Sequence, residues 1–246
     1  MKECRYEFMY PEDFLEAVRE APVFIMPTGL LEWHANHLPL GLDSLKVHGI
    51  CLEIARKLGG GIVLPPNYYG RPGYSTYAGT LTYSEETMYR LFYETMEQLK
   101  KAGALVIAIV SGHYGECQEN FIRKVAGDFA TKNTDVKVIA RPENEGVLVD
   151  GAGFGDHAGK WETSMLWALR PECVRWQTYE TKITGMKTYL DAPHDYYKEG
   201  ADWDFGEDLR ETSSVELGER AVDAISDLFA ADIRAALRTF NGFEGF

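Results

Sequence analysis

An α/β fold around a mostly parallel central sheet is predicted by two features of this 246-residue chain: short, wholly apolar runs and the longer amphipathic segments that alternate with them. The runs PVFIMP (22–27), GIVLPP (61–66), ALVIAIV (104–110) and VKVIA (136–140) read as strands covered on both faces, where polar alternation is absent. Between them, DSLKVHGICLEIARKL (43–58) and SEETMYRLFYETMEQLKKAG (84–103) carry apolar residues at helical spacing. Ser84 is placed to cap the second of these, with Glu85 and Glu86 in its first turn and Gly103 at its exit. Further helices are expected over 117–131, 160–169 and 215–239. No internal repeat or low-complexity tract interrupts the pattern.

One domain over 1–246 is expected, since the apolar fraction of 45% supplies a core and no stretch is polar enough to resist folding. The net charge of −13 and pI near 4.9 exclude an extended phosphate-binding surface, so nucleic acid is not an expected partner. Cys4, Cys51, Cys117 and Cys173 form no CxxC pair and read as scattered buried thiols rather than a zinc ribbon or redox motif. MKECRYEFMYPEDF has no apolar stretch of signal-peptide type, and no run approaches a membrane span. A cytoplasmic protein is the expectation.

Two stretches resist regular assignment. NYYGRPGYSTYAGTLT (67–82) holds three glycines, a proline and four tyrosines between a strand and a helix, and reads as a long ordered loop bordering a site. The segment 178–212, rich in Asp, Tyr and Gly and containing His194, fits a lid or a surface excursion equally well.

The densest group of metal-capable side chains is GLLEWHANHLPLGLDS, which offers Glu32, His34, His37 and Asp43 just after the first strand. In open α/β sheets ligands gather beyond the carboxyl ends of strands, and His113 obeys the same rule by leaving the end of ALVIAIV. A third patch, GFGDHAGKWETS, sets Asp156 and His157 before a helix and Glu162 inside it. Carboxylates with imidazoles and no thiols suit a catalytic Zn²⁺, Mn²⁺ or Fe²⁺ site rather than a structural zinc. Because an aspartate can bridge with its two oxygens, Glu32, His34, Asp43, His113 and one later carboxylate suffice for two ions that activate water and polarise a carbonyl. His37, His48 and His194 read as hydrogen-bonded structural residues, and Trp161 as a core aromatic.

These residues resemble the creatininase family, whose recurring pieces are E-x-H-x(8)-D, a G-H segment after a strand, and H-(G/A)-G-x-x-E-T-S. All three stand here in order, as Glu32 and His34 through Asp43, then Gly112-His113-Tyr114, then His157 through Glu162-Thr163-Ser164. The resemblance implies a three-layer α/β sandwich, a binuclear centre of divalent ions, hydrolysis of a small amide C–N bond, and a homo-oligomer, commonly a hexamer. By position it implies Glu32, Asp43 and His113 on one ion and His34 with Asp43 on the other. Creatininase completes the second site with a glutamate two residues after the histidine of its G-H segment, where this chain has Gly115. Other members use the glutamate of the E-T-S segment, here Glu162, with Glu116 as the competing candidate.

The resemblance also bears on substrate. Creatininase has a tryptophan four residues before the late histidine, and here that position is Gly153, while Tyr114 matches a substrate-binding position. The family includes a formamide deformylase and a peptidase of mycofactocin maturation, so a cyclic amide, a lactam or a formamide is the expected small-molecule substrate. His157 is expected to act as general acid or base near the leaving nitrogen. A metal-stabilised oligomeric binding protein without turnover is the competing reading.

Overall fold

The computed structural model describes residues 2–185 and 202–240. Strand β1 (Val23–Thr28) lies centrally, β2 (Ile62–Val63) pairs on one side, and β3 (Val106–Ser111) with β4 (Lys137–Pro142) continues the sheet on the other. All pairings are parallel, and β1 and β3 align over six residues from Val23↔Val106 to Thr28↔Ser111. The expected run at 61–66 shortens to two strand residues. Pro65 and Pro66 lack the N–H a longer ladder needs, and β2 is an edge strand, where that loss is tolerated.

Alternation along β1 and β3 divides the core into two. Val23, Ile25, Val106, Ala108 and Val110 face helices α2 (Leu42–Leu58), α5 (Lys160–Leu169) and α7 (Val215–Leu237). Phe24, Met26, Ile107 and Ile109 face α3 (Glu85–Lys101), α4 (Glu116–Lys132) and the N-terminal α1 (Pro11–Glu20). The sheet is thus the middle of three layers, as expected for strands without polar alternation. The α1 helix was not anticipated, although Pro11 at its first position and Glu12 and Asp13 in its first turn are helix-start signals. Ser84 caps α3 as expected, its hydroxyl accepting from the Thr87 N–H.

The strand order β2-β1-β3-β4 places the connection through α2 on one face and the connection through α3 on the other. The winding therefore reverses between β1 and β3, and a crevice opens beyond their carboxyl ends. The loop 67–82 runs over this crevice, tied back through bridges of Asn67 with Thr28 and Leu81 with Leu31. The flanks of the second irregular stretch form an antiparallel pair, β5 (Lys182–Ile183) with β6 (Trp203–Asp204), then a short helix, α6 (Leu209–Thr212). His194 lies outside the described residues. Of the four cysteines only Cys51 is fully buried; the other three are half-buried, which corrects the expectation of buried thiols throughout.

Candidate metal centre

Glu32 and His34 leave the carboxyl end of β1, His113 leaves that of β3, and Asp43 stands at the second position of α2. The backbones around them approach too closely for side chains. A Cβ on Gly29 would fall 2.7 Å from that of Asp43, and one on Gly73 would overlap the Glu32 carboxylate. Glycine at these two positions lets the loop 67–82 close over the acidic cluster, where the Tyr74 N–H donates to Glu32 Oε1.

Glu32, His34, Asp43, His113 and Glu162 are at most 4% exposed. His113 Nδ1 lies 3.1 Å from Glu32 Oε2 and 3.4 Å from Asp43 Oδ2, while His34 Nε2 lies 3.2 Å from Asp43 Oδ1 and 3.7 Å from Glu162 Oε2. Three groups bring one side-chain donor atom per residue mutually within 4.8 Å. Two of them meet at Asp43, Glu32 with Asp43 and His113, and His34 with Asp43 and Glu162; the third is Glu32 with His34 and His157. Glu116 is exposed at the start of α4 and joins none of them, although it lines the mouth of the cavity.

Tautomers are set by backbone carbonyls. His34 Nδ1 is 3.0 Å from the Glu32 carbonyl and donates to it, which turns Nε2 toward Asp43 and Glu162. His157 Nε2 donates in the same way to the Trp33 carbonyl at 2.8 Å. The residue after each of these histidines holds a left-handed backbone without being glycine, Ala35 at φ 59° and Ala158 at φ 52°. Such strain persists only where the surroundings over-determine it, and here it flanks the cluster twice.

The electrostatics divide the imidazoles into two kinds. Burial disfavours a charge on His34, but Asp43, Glu162 and Glu32 outweigh it and push its pKa up to about 9. His113 is raised well above the ordinary value, Glu32 and Asp43 likewise overcoming burial. His157 goes the other way, to about 4, through burial and then the neighbouring His34. Asp156 is raised to about 6 by burial and by Glu162, and its two oxygens accept the Trp161 and Glu162 N–H groups at the start of α5.

Lys46 and Glu143, both 0% exposed, were not singled out from the sequence. Lys46 Nζ contacts Glu143 Oε1 at 2.8 Å, the Tyr114 hydroxyl at 2.7 Å and Glu162 Oε1 at 3.0 Å. Burial opposes its charge, but Glu143, Glu162 and Asp43 prevail and raise its pKa. Both residues left signals. Lys46 stands where helical spacing from Leu42 to Ile50, Ile54 and Leu58 calls for an apolar residue, and Glu143 directly follows β4 as Glu32 and His113 follow their strands.

A cavity of about 180 Å³ opens onto the cluster, lined by Tyr74, Tyr114, Asp156 and His157 together with the acidic groups. Tyr114 presents its ring there, while its hydroxyl donates to Glu143 at 2.5 Å. His37 stands apart, 3.0 Å from Thr163 Oγ1 and stacked near Trp176, and Trp161 stacks on Phe154, both in structural roles. His48 is half-buried on α2 and joins none of the groups.

Fold and site together define a doubly wound α/β protein with a buried carboxylate–imidazole cluster at the switch point of its sheet. The chain belongs to the creatininase family, whose model, described as creatinine amidohydrolase, matches residues 7–233. It is 27% identical over 180 residues to the creatinine amidohydrolase of Pseudomonas putida, covering 62% of this chain and 66% of that protein. Over 163 residues it is 27% identical to the mycofactocin precursor peptide peptidase of Mycobacterium ulcerans (strain Agy99), covering 62% of this chain and 60% of that one. The matched region thus spans less than two thirds of either relative. Among solved structures, a creatininase in a manganese form superposes with a TM-score of 0.71 at 20% identity, over 95% of this chain and 98% of that one. A creatininase variant of Zn–Zn type gives 0.70 at 21% identity, over 96% and 98%. These last likenesses establish the shared fold. Among the described residues no helix is long and apolar enough to cross a membrane.

Proposed function

We propose that this chain is a metal-dependent amidohydrolase that cleaves the C–N bond of a small amide, lactam or formamide. The observation that carries the reading is the pair of ligand groups meeting at Asp43. Their donor set fits divalent cations. Glu32 Oε2, both Asp43 oxygens and His34 Nε2 are buried without a hydrogen-bond partner among the described residues, which a cation would satisfy. Glu32, Asp43 and His113 would hold one ion, and His34, Asp43 and Glu162 the other. When bound, two such ions would supply a Lewis acid for the amide carbonyl and acidify water; manganese and zinc forms of creatininase support the choice of divalent metal.

The remaining residues position substrate and move protons. Tyr74 and Tyr114 wall a cavity of about 180 Å³, below the 300 to 1,000 Å³ usual for drug-sized ligands, which favours a small substrate. His157 is neutral, and with Nε2 committed to the Trp33 carbonyl its Nδ1 holds the free lone pair. It takes a proton from the attacking water and returns it to the leaving nitrogen. The homo-oligomer belongs to the same proposal and is checked by light scattering.

A second reading, cleavage of a peptide bond, is favoured by the likeness to the mycofactocin precursor peptide peptidase. Protein stripped of metal and reloaded with Mn²⁺ or Zn²⁺ is assayed against formamides, lactams, creatinine and short peptides. Chelator-sensitive turnover of a small amide supports the first reading, and turnover of peptides alone supports the second. Stoichiometric metal binding with no turnover across the panel leaves a non-catalytic binding protein.

A further inference from the structure

Lys46 touches none of the cavity, yet it is one of the largest fully buried side chains in the protein. Its ammonium meets four acceptors: Glu143 Oε1 at 2.8 Å, the Tyr114 hydroxyl at 2.7 Å, Glu162 Oε1 at 3.0 Å and the Gly112 carbonyl at 3.3 Å. The consequence falls on Glu162. Its Oε1 is held by the lysine, while its Oε2 accepts the Ala158 N–H at 2.7 Å and is the oxygen facing His34 Nε2. The carboxylate is therefore gripped at both ends, and only one oxygen can turn to the cluster.

The geometry points to Lys46 as the positioning residue of the His34–Asp43–Glu162 site, fixing Glu162 as a ligand through Oε2 alone and setting the affinity of that site over the other. The inference rests on the two-ion reading above. Glu162 projects toward Asp43 in a cluster where Glu32 is also buried, so like charges repel it from the ligating position. Lys46 offsets that repulsion from behind, and Glu143 balances the lysine so that no uncompensated charge remains buried. No side chain private to the Glu32–Asp43–His113 site touches the lysine, which reaches it only through the charge of the shared Asp43 and the Gly112 carbonyl before His113, so that site should feel its loss far less.

The test is stepwise titration of metal-stripped, full-length protein with Mn²⁺, followed by calorimetry. Lys46→Met alone would strand Glu143, so the informative variant is K46M/E143Q, which removes both charges; Lys46→Gln, which keeps a neutral donor for Glu162, provides a milder second. One equivalent should weaken by tenfold or more in K46M/E143Q, the usual scale for an outer-shell partner, with the other held within about threefold. Lys46→Gln should fall between this variant and the parent. Glu162→Gln should abolish the same equivalent. If K46M/E143Q and Lys46→Gln keep both affinities, or lose both equally, the lysine has no site-specific role, while the two-ion reading stands as long as Glu162→Gln still loses one. If Glu162→Gln keeps both, the ligand assignment fails and the role of Lys46 fails with it.

Discussion

Asp43 Oδ1 stands 3.2 Å from His34 Nε2, both atoms buried and neither in hydrogen-bond alignment. The second oxygen of the same carboxylate faces His113 at 3.4 Å. One side chain thus connects two groups that otherwise share no residue in these two sets. Asp43→Ala should therefore abolish both metal equivalents rather than one, as read by elemental analysis of protein loaded with Mn²⁺ or Zn²⁺. A full complement in the variant would show that Asp43 does not bridge.

Glu162 and Glu116 compete for the last ligand position, and their placements differ. Glu162 is 2% exposed and faces His34, whereas Glu116 is exposed at the cavity mouth. Glu162→Gln should lose one metal equivalent and Glu116→Gln none. The reverse pattern in the same metal analysis would reassign the ligand.

Part of this arrangement is written locally in the chain and part is not. Buried strands announce themselves as apolar runs, and the residues that follow β1 and β3 are placed by chain connectivity alone. That is why Glu32, His34 and His113 were legible beside Asp43. The grip on Glu162 depends instead on α2, the end of β4 and α5 meeting across more than a hundred residues, from Lys46 to Glu162. No periodicity reports such a meeting. The lysine's intrusion into the apolar stripe of α2 says only that something buried must balance it. The α1 helix left signals of its own in Pro11, the acids of its first turn, and Phe14, Ala17 and Val18 at helical spacing, but it precedes the first strand and is only ten residues long.

Metal uptake should release protons. With no metal bound, the carboxylates hold His34 charged up to about pH 9 and raise His113 as well, and each must lose its proton to ligate. Uptake at pH 7 should release about two protons, one per imidazole. Affinity should therefore climb as pH rises toward 9. The sign for stability is opposite: the raised pKa of His34 stabilises the metal-free fold fully below about 6.5, and that contribution is lost as pH rises through about 9. Calorimetry in buffers of different ionisation enthalpy counts the protons, and a buffer-independent enthalpy would rule out the exchange.

Creatinine should be turned over poorly. Gly153 is exposed and does not line the cavity, so it supplies no side chain where the resemblance to creatininase calls for an aromatic wall. Turnover of creatinine at about 1 to 1,000 per second, the common enzyme range, would reject this expectation.

His157 should carry chemistry without holding metal. Its ring centroid lies 4.5 Å from that of His34 and 4.0 Å from that of Tyr74, inside the cavity and beside the cluster. With no metal bound, burial and then His34 lower its pKa to about 4, against an ordinary value of 6.5, so the ring is neutral and able to accept a proton. Amide hydrolysis needs the proton lost by water to reach the leaving nitrogen, and a fixed imidazole shortens that path. His157→Asn should lower turnover by about a hundredfold or more, the usual scale for a positioned acid or base, with metal content unchanged. The competing possibility is ligation, since Glu32, His34 and His157 also bring donor atoms within 4.8 Å of one another. Turnover and bound metal measured on the same preparations separate the two. Activity that falls only in proportion to lost metal would make His157 a ligand, and unchanged activity would leave it a structural partner of the Trp33 carbonyl. The pH profile adds an independent reading, because an acid limb near 6.5 that vanishes in His157→Asn would mean the ring is solvated rather than buried.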